Sequence, residues 1–335
     1  AFTSKECTCF YAKVVDEDLP LAVDVISDIV LHSVFNPQEI EKEKGVIIEE
    51  ISMAEDSPED LVSELIMLAQ FGDQPLSRPI LGTEESVGGL NRARLLGYYK
   101  KFYRPENAVL ALAGNYDWNE LIQLAERHLG DWQRGEHVPS FRTRPAKPRI
   151  IRREKEIEQI HLTVGYPGIS QDTDEIYPMS ILNSVLGGAM SSRLFQSIRE
   201  ERGMAYTVYS YPASYSDSGI FAIYAGTSLE HAEEVLKLIR QEVGRIVKDG
   251  LTMQEFEQAR AQLKGSYILG LESTSSRMNA LGRRKLLLNA EQTEEEVIAK
   301  IDAITYEQVS ELTRKLLNAK PSVSLVGKGA EKLEV

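Results

Sequence analysis

Two glutamates seven residues apart are the main candidates for chemistry in this 335-residue chain. Asn36-Pro37 predicts the start of a helix that runs to about Glu55, because asparagine caps helices and proline suits their first turn. At 100° per residue, Glu43 and Glu50 fall within the apolar arc of that helix. Buried carboxylates need a metal ion, an arginine or lysine, or a shared proton. A pair of structural ion pairs fits the same pattern.

The histidines and cysteines form no familiar metal-binding or nucleophilic motif. None of the five histidines has a partner at metal-ligand spacing, so each alone is expected to be structural; they are His32, His128, His137, His161 and His231. Cys7 and Cys9 lie two residues apart on a predicted strand, Cys7–Val15, and such neighbours rarely have disulfide geometry. We therefore expect reduced thiols, which are typical of the cytoplasm.

Charge and hydropathy argue against two classes of partner. The chain has 51 acidic and 38 basic residues, a net charge of −13, which argues against a nucleic-acid partner. No apolar run approaches the roughly 20 residues of a membrane span, so we expect no membrane partner. The acidic balance fits a solvated surface, and it also fits a chamber for basic or neutral peptides.

The order of predicted elements indicates two α+β domains joined by a linker. Residues 136–148 contain several prolines and basic residues without periodicity, so they are the predicted linker between domains 1–135 and 149–335. Each domain is expected to be a mainly antiparallel sheet with helices packed on one face. The first domain has a further predicted strand at Ala108–Ala113, and the second has a long predicted helix over Met253–Asn289.

The two halves of the chain look like degenerate copies of one unit. Asn36–Glu41 parallels Thr252–Glu257, and each segment opens a long predicted helix. The second copy has Ala259 and Ser266 in place of the two glutamates of the first copy. Only the first half therefore carries the acidic pair.

A second candidate site surrounds a glycine pair in the second half. Gly187-Gly188 precedes a predicted helix over Ser191–Arg202 that contains Arg199, and Tyr206 enters the next strand. An arginine and a tyrosine near a glycine-rich loop can hold a peptide carbonyl and stabilise an oxyanion. An ion pair at the helix end and a packed tyrosine fit the same pattern.

Taken together, these residues resemble the pitrilysin/insulinase family of zinc peptidases, closest to its processing-peptidase branch. The resemblance covers essentially the whole chain. Its markers are Ala1–Thr8, Glu41–Ile51, Tyr103–Asn107, Gly187-Gly188 with Ser191–Phe195, and Arg199 with Tyr206. The resemblance implies a half-clamshell of two homologous α+β domains.

The resemblance also implies a zinc site. The family's site is an inverted H-x-x-E-H motif plus a distal glutamate. Glu50 matches that distal ligand, and Glu43 matches the supporting acid. Zinc-activated water is then the expected nucleophile. The family's spacing places H-x-x-E-H upstream of Ala1, so residues 1–335 alone are expected to bind zinc poorly and not to catalyse.

The substrate side follows from the same resemblance. Substrate is expected to add as a strand near Ala1-Phe2-Thr3, and Gly187 and Gly188 are expected to bind it as well. Arg199 and Tyr206 match the pair that contacts substrate near the scissile bond. We therefore expect a zinc endopeptidase that degrades or processes short unfolded peptides in a closed chamber. The alternative is a catalytically silent subunit with a structural or substrate-holding role.

The distribution of the matched residues predicts the assembly. Family members close their chamber with two such two-domain units. This chain keeps Glu43 and Glu50 together with Arg199 and Tyr206, so we expect a homodimer in which each subunit's Arg–Tyr pair serves the other's zinc site. The branch suggests the bacterial cytoplasm, with an organelle matrix as the alternative.

Overall fold

A computed structural model describes residues 1–135 and 141–334 of the chain. Its α-helices are α1 (Leu19–Leu31), α2 (Pro37–Asp56), α3 (Pro58–Phe71), α4 (Glu84–Gly88), α5 (Arg92–Phe102), α6 (Trp118–Leu129), α7 (Ile176–Leu186), α8 (Ala232–Asp249), α9 (Met253–Gly270), α10 (Thr274–Leu288), α11 (Glu294–Asp302) and α12 (Tyr306–Leu317). Its strands are β1 (Phe2–Thr3), β2 (Thr8–Cys9), β3 (Ile150–Arg153), β4 (Gln159–Pro167), β5 (Ala205–Ser214), β6 (Gly219–Ser228) and β7 (Ser322–Val326). A π-helix, Phe195–Glu200, precedes β5. None of the helices in the described ranges has both the length and the apolarity of a membrane span.

Two compact units make up the described chain. Unit 1 consists of Ala1–Ile51, Ile80–Phe141 and Leu269–Glu291, and unit 2 consists of Ser52–Pro79, Arg142–Ile268 and Gln292–Val335. The domain boundaries drawn from the sequence at 135 and 149 stay a prediction. Residues 136–140 of the predicted linker lie outside the described residues.

Unit 2 is built on a five-stranded sheet with the order β3-β7-β4-β6-β5. The pairs β4–β6, β4–β7 and β5–β6 are antiparallel, and β3 runs parallel to β7. Strand β6 is buried along its length except at Ser228, so neither of its faces reaches solvent. This mixed but mainly antiparallel sheet with surrounding helices confirms the predicted α+β class.

The larger core of unit 2 lies on one face of this sheet. Helices α7, α8 and α12 pack there against alternating residues of β4 and β6. Leu162 and Ile223 are among the fully buried side chains, with none of their surface exposed. This face corresponds to the predicted arrangement of helices on one side of a sheet.

Helix α3 covers the opposite face, which the sequence did not predict. Val62 and Ile66 have no exposed surface, and the hydroxyl of Ser324 donates a hydrogen bond to the Val62 carbonyl at 2.8 Å. A methyl group on Gly165 would come within 2.9 Å of the Ile66 side chain, so the glycine permits this close approach. The sheet is thus buried on both faces.

Unit 1 is mainly helical in its described residues. Helices α1 and α6 contact each other, and the Tyr99 hydroxyl donates to the Val30 carbonyl at 2.8 Å. Residues Ala108–Ala113, predicted as a strand, form no regular element. Of the predicted strand Cys7–Val15, only β2 is a strand, and it pairs with β1. Both predictions were wrong in extent because a strand needs a hydrogen-bonded partner, which local sequence does not reveal.

The predicted helix Met253–Asn289 is interrupted. Helix α9 ends at Gly270, and Ser273 caps the start of α10 by accepting from the Ser276 amide at 3.2 Å. Serine competes with the helix for backbone groups and favours caps, which accounts for the break. The predicted start of α9 is confirmed, since the Thr252 hydroxyl accepts from the Glu255 amide at 3.1 Å.

The contact between α3 and the sheet should dominate the stability of unit 2. We expect Ile66→Ala to lower the free energy of unfolding by about 2–5 kcal/mol, because it leaves a cavity against the sheet. Leu68→Ala is the matched control, since Leu68 lies on the same helix and is 37% exposed. It should cost less than about 1 kcal/mol in a urea titration followed by circular dichroism. Equal losses in the two variants would contradict this packing.

Candidate functional site

Helix α2 carries both candidate acidic residues on one uninterrupted helix. The Asn36 carboxamide accepts from the Gln38 amide at 2.8 Å, which confirms the predicted start. Glu43 and Glu50 are separated by about two turns, or roughly 10 Å of helical rise. The geometry thus keeps the two carboxylates on the same side of one rigid element.

The prediction that these carboxylates are buried was wrong. Glu43 and Glu50 are both exposed, and so are their apolar neighbours Val46 and Met53. Ile51 is the buried residue of α2. Burial depends on which elements cover a helix face, and periodicity alone does not fix that.

The alternative assignment of these acids to structural ion pairs has no support in the described residues. Two other glutamates of α2 form such pairs, Glu39 with Lys42 at 2.7 Å and Glu41 with Lys44 at 2.9 Å. Neither Glu43 nor Glu50 has an ion pair or a side-chain hydrogen bond within residues 1–135 and 141–334. Both carboxylates are therefore open to an external partner.

A complete zinc site is not present among the described residues. No group of three or more histidine, cysteine, aspartate or glutamate side chains in that part of the chain could hold a metal ion. A catalytic zinc ion takes three protein ligands and a water molecule. Glu50 supplies one oxygen donor of a suitable kind, and the described residues do not supply the others.

The described histidines have local partners. His128 lies 3.3 Å from the Asp24 carboxylate, and the His231 ring lies 3.1 Å from the Ser228 hydroxyl. His32 follows α1 as its C-cap residue. His137 lies outside the described residues.

His161 belongs to a hydrogen-bonded cluster between α3 and the face of the sheet that α3 covers. Its Nδ1 lies 2.8 Å from the Tyr224 hydroxyl, and the Tyr224 ring lies 4.9 Å from the Tyr209 ring. Tyr209 in turn donates to Glu59 at 2.6 Å. Burial and this bond to Glu59 raise the pKa of Tyr209. The cluster fastens the start of α3 to the sheet, which accounts for His161 without a ligand.

The segment expected to bind substrate as a strand forms an edge. Phe2 pairs with Cys9 and Thr3 pairs with Thr8 in a two-stranded antiparallel ribbon. Ala1 and Thr3 are exposed, and β2 is the one strand partner of β1 among the described residues. The second edge of β1 therefore has no strand beside it there.

The glycine pair has a packing role that the sequence did not reveal. The Ser210 amide donates to the Gly187 carbonyl at 3.1 Å, and a methyl group on Gly187 would approach that amide nitrogen to 2.5 Å. A methyl group on Gly188 would lie 2.5 Å from the Asn183 carboxamide nitrogen. Gly187 is buried and Gly188 is exposed. The pair thus lets the loop lie against β5, and substrate binding by either residue stays a prediction.

Arg199 and Tyr206 lie together, as the sequence predicts. The Arg199 guanidinium carbon lies 5.1 Å from the centre of the Tyr206 ring, within the range of a cation–π contact. A bulge in β5 between Ala205 and Thr207 leaves Tyr206 out of register with β6. The ring is 77% exposed. The pair is therefore assembled and accessible.

The element that carries Arg199 differs from the prediction. The segment Ser191–Arg202 contains the π-helix Phe195–Glu200 in place of a regular α-helix. Gly203 follows it with a φ of +64°, and its amide donates to the Arg199 carbonyl at 2.9 Å, which is typical of a glycine at a helix C-terminus. Single-turn π-helices occur frequently at functional sites.

A bidentate ion pair anchors the loop before this π-helix, and the sequence analysis missed it. Arg193 donates to both carboxylate oxygens of Glu255 at 2.7 Å and to the Gly250 carbonyl at 3.0 Å. Burial opposes ionisation of Glu255, but the bond from Arg193 holds its pKa below its ordinary value. The sequence signal for the Arg193–Glu255 pair is weak, since the two residues lie on separate elements.

Two family models match the chain. Residues 1–84 match "Insulinase (Peptidase family M16)", and residues 89–263 match "Peptidase M16 inactive domain". The second match alone spans half of the chain. The chain belongs to peptidase family M16. The resemblance inferred from the sequence is thereby confirmed.

Relatives of this M16 protein have been named as proteases. It is 41% identical to the uncharacterised zinc protease YmxG of Bacillus subtilis, over 97% of this chain and 80% of YmxG. It is 38% identical to an uncharacterised zinc protease of Streptomyces coelicolor, over 98% of this chain and 73% of that protein. These relatives support a peptidase of the zinc-dependent kind.

Solved structures share the fold of this M16 protein. A peptidase M16 inactive domain from Pseudomonas fluorescens matches with a TM-score of 0.85 at 25% identity, covering 92% of this chain and 74% of that one. A chain of complex III2 from Candida albicans matches with a TM-score of 0.84 at 21% identity, covering 96% and 79%. The predicted M16 fold is therefore confirmed.

The His161 cluster makes the stability of unit 2 depend on pH. Burial lowers the pKa of His161 below its ordinary value of 6.5, although Glu59 opposes part of this effect. The unfolded chain therefore takes up the proton first as the pH falls, and the free energy of unfolding decreases from pH 6.5 downward. Urea titrations between pH 7.5 and 5 should show this loss. His161→Gln should reduce the slope, and His231→Gln, at a half-buried histidine outside this cluster, should retain it.

Proposed function

We propose that this M16 protein is a zinc-dependent endopeptidase that degrades or processes short unfolded peptides in a closed chamber. The observation that carries the proposal is that one family member keeps both acidic residues of the zinc side and the Arg–Tyr pair of the substrate side. Glu43 and Glu50 lie exposed on one helix, and Arg199 contacts Tyr206. The zinc-protease names of relatives up to 41% identical support the same activity.

In this proposal Glu50 is the distal carboxylate ligand of zinc, and Glu43 supports it from two turns earlier. The other donors in the family are the histidines of its H-x-x-E-H motif. When bound, zinc supplies a water molecule that is nucleophilic near neutral pH. The exposure of Glu50 is consistent with a ligand that receives the metal from another segment.

The substrate is an extended peptide. An unfolded peptide can pair with the second edge of β1 through backbone hydrogen bonds, which select for an extended chain and not for a sequence. The N–H groups of Arg199 and the hydroxyl of Tyr206 donate to peptide carbonyls near the scissile bond. A folded protein offers no such free strand, so short unstructured peptides are the substrate class.

The assembly is a homodimer in the bacterial cytoplasm. Glu50 belongs to unit 1 and Arg199 to unit 2. Each chain therefore carries both a zinc-side residue and a substrate-side residue. In a two-fold dimer, each subunit can present its Arg–Tyr pair to the zinc site of the other. The relatives found in bacteria and the free thiols of Cys7 and Cys9 favour that compartment.

Zinc dependence and the role of Glu50 can be tested on the full-length gene product. With a quenched unstructured peptide of about 20 residues, a chelator should abolish cleavage and zinc should restore it. Glu50→Gln should lower kcat/KM by at least about 100-fold, since a lost ligand costs more than a lost outer partner. Glu49→Gln, the adjacent exposed glutamate, should change it less than about twofold.

Zinc content decides between the outcomes of that assay. Glu50→Gln should also lower the zinc retained after dialysis, whereas Glu49→Gln should retain wild-type zinc. A zinc-loaded wild-type protein without cleavage would contradict the proposal and favour a silent subunit. Equal effects of the two substitutions would remove Glu50 from the zinc site.

The division of labour between subunits can be tested by mixing an inactive variant, Glu50→Gln, with a strongly weakened one, Arg199→Ala. Glu50→Gln and Arg199→Ala each remove one half of a site, so an exchanged heterodimer contains one intact site and one doubly altered site. Random mixing should therefore restore about a quarter of wild-type activity. The control mixture pairs Glu50→Gln with the double variant Glu50→Gln/Arg199→Ala and should stay inactive. Absence of restoration after demonstrated subunit exchange would show that the Arg–Tyr pair serves its own chain.

A further inference from the structure

Arg199 has a second aromatic neighbour besides Tyr206. Its guanidinium carbon lies over the Phe195 ring at 4.8 Å from the ring centre, which is closer than the 5.1 Å to the Tyr206 ring. Phe195 is half-buried and is not one of the residues that form the core of unit 2. Its ring therefore has the guanidinium as a main partner, and the hydrophobic core does not account for its position.

The donors of Arg199 are left available by this arrangement. A guanidinium group carries five N–H donors in its plane, and contacts through its faces do not use them. In the described parts of the chain the Arg199 side chain has no hydrogen bond, and its ion pair with Glu200 is long, with 3.8 Å between Nε and Oε1. The two rings thus limit the movement of the group, and no hydrogen bond within the described residues occupies its N–H donors.

The π-helix fixes both members of the Phe195–Arg199 contact. Leu194 and Ile198, the residues directly before them, are fully buried in the core of unit 2. The wide turn is closed by the Glu201 amide, which donates to the Gln196 carbonyl at 2.9 Å. Phe195 and Arg199 are therefore held on the surface by neighbours that cannot move independently of the core.

We propose that Phe195 is a positioning residue for Arg199: its ring holds the guanidinium beside Tyr206, so that the N–H donors face a peptide acceptor. The peptide acceptor rests on the proposed peptidase function, whereas the holding of Arg199 by Phe195 does not. A flexible arginine would lose side-chain entropy each time it bound substrate, and the two rings remove part of that cost beforehand. Phe195 itself does not touch substrate.

An NMR measurement tests the positioning without any activity. The Nε–Hε signal of Arg199, assigned by its loss in Arg199→Lys, should be displaced from the signals of arginines that lack an aromatic neighbour. Phe195→Leu should move it toward those signals, and Phe195→Tyr, which keeps the ring, should leave it displaced. An Arg199 signal that Phe195→Leu does not move would overturn the proposal.

Kinetics test the consequence for catalysis in the full-length gene product. Phe195→Leu should lower kcat/KM about two- to fivefold, the value of one exposed cation–π contact, and Phe195→Tyr should restore it. In an Arg199→Ala background, Phe195→Leu should have no further effect, because the group that it positions is gone. Equal effects of Phe195→Leu in both backgrounds would assign Phe195 a structural role and overturn the proposal.

A second Phe–Arg pair provides a control for lost stability. Arg260 lies over the Phe256 ring at 5.0 Å with the same four-residue spacing, and Phe256 is 4% exposed. Phe256→Leu should lower the melting temperature more than Phe195→Leu does, and it should leave the Arg199 signal and kcat/KM unchanged. A wild type that cleaves nothing would refute the peptidase function, while the NMR series would still decide the role of Phe195.

Discussion

Helix α3 contacts the sheet of unit 2 through its backbone as well as its side chains. Ser324 donates to the Val62 carbonyl, and Ala222 and Gly165 leave room for the helix to approach closely. With the main core on the other face, β6 is buried from Gly219 to Thr227 and exposed only at Ser228. The β5–β6 pair is therefore a rigid platform, because neither strand can shift without disturbing two packed layers. Tyr206 lies at the N-terminal end of β5, on this platform.

The candidate substrate site depends on the same platform. The Gly187 carbonyl accepts from Ser210 in the middle of β5, and Arg193 ties the following loop to Glu255 on α9. Sites built on rigid elements hold their side chains more accurately than sites on free loops. Gly187 therefore permits the close approach of the loop backbone to β5. This contact holds the loop rigidly against the sheet.

Sequence reasoning succeeded where structure is local. Asn36-Pro37 starts α2 as predicted, because capping groups bond to amides of their own first turn. It was wrong for Ala108–Ala113, since a strand exists only beside a partner. Burial on α2 was misjudged for a related reason, since the elements that cover a face are distant in sequence.

The candidate site shows the same division between local and long-range information. The family resemblance pairs Arg199 with Tyr206, and the two side chains are in contact. The four-residue spacing of Phe195 and Arg199 fits the regular helix that the sequence predicts over Ser191–Arg202. The turn closes with an i+5 bond from the Glu201 amide to the Gln196 carbonyl while Leu194 and Ile198 lie in the core, and the segment's own sequence does not specify either feature.

Exposure of the two acids also changes the expected coupling between metal and folding. A buried carboxylate pair would require a cation before α2 could pack, and the helix would then fold only with its metal. Glu43 and Glu50 are exposed, so their ionised forms carry little desolvation cost on this helix. Helix α2 can therefore form without a cation beside these carboxylates, unlike small zinc domains in which metal binding provides the folding energy.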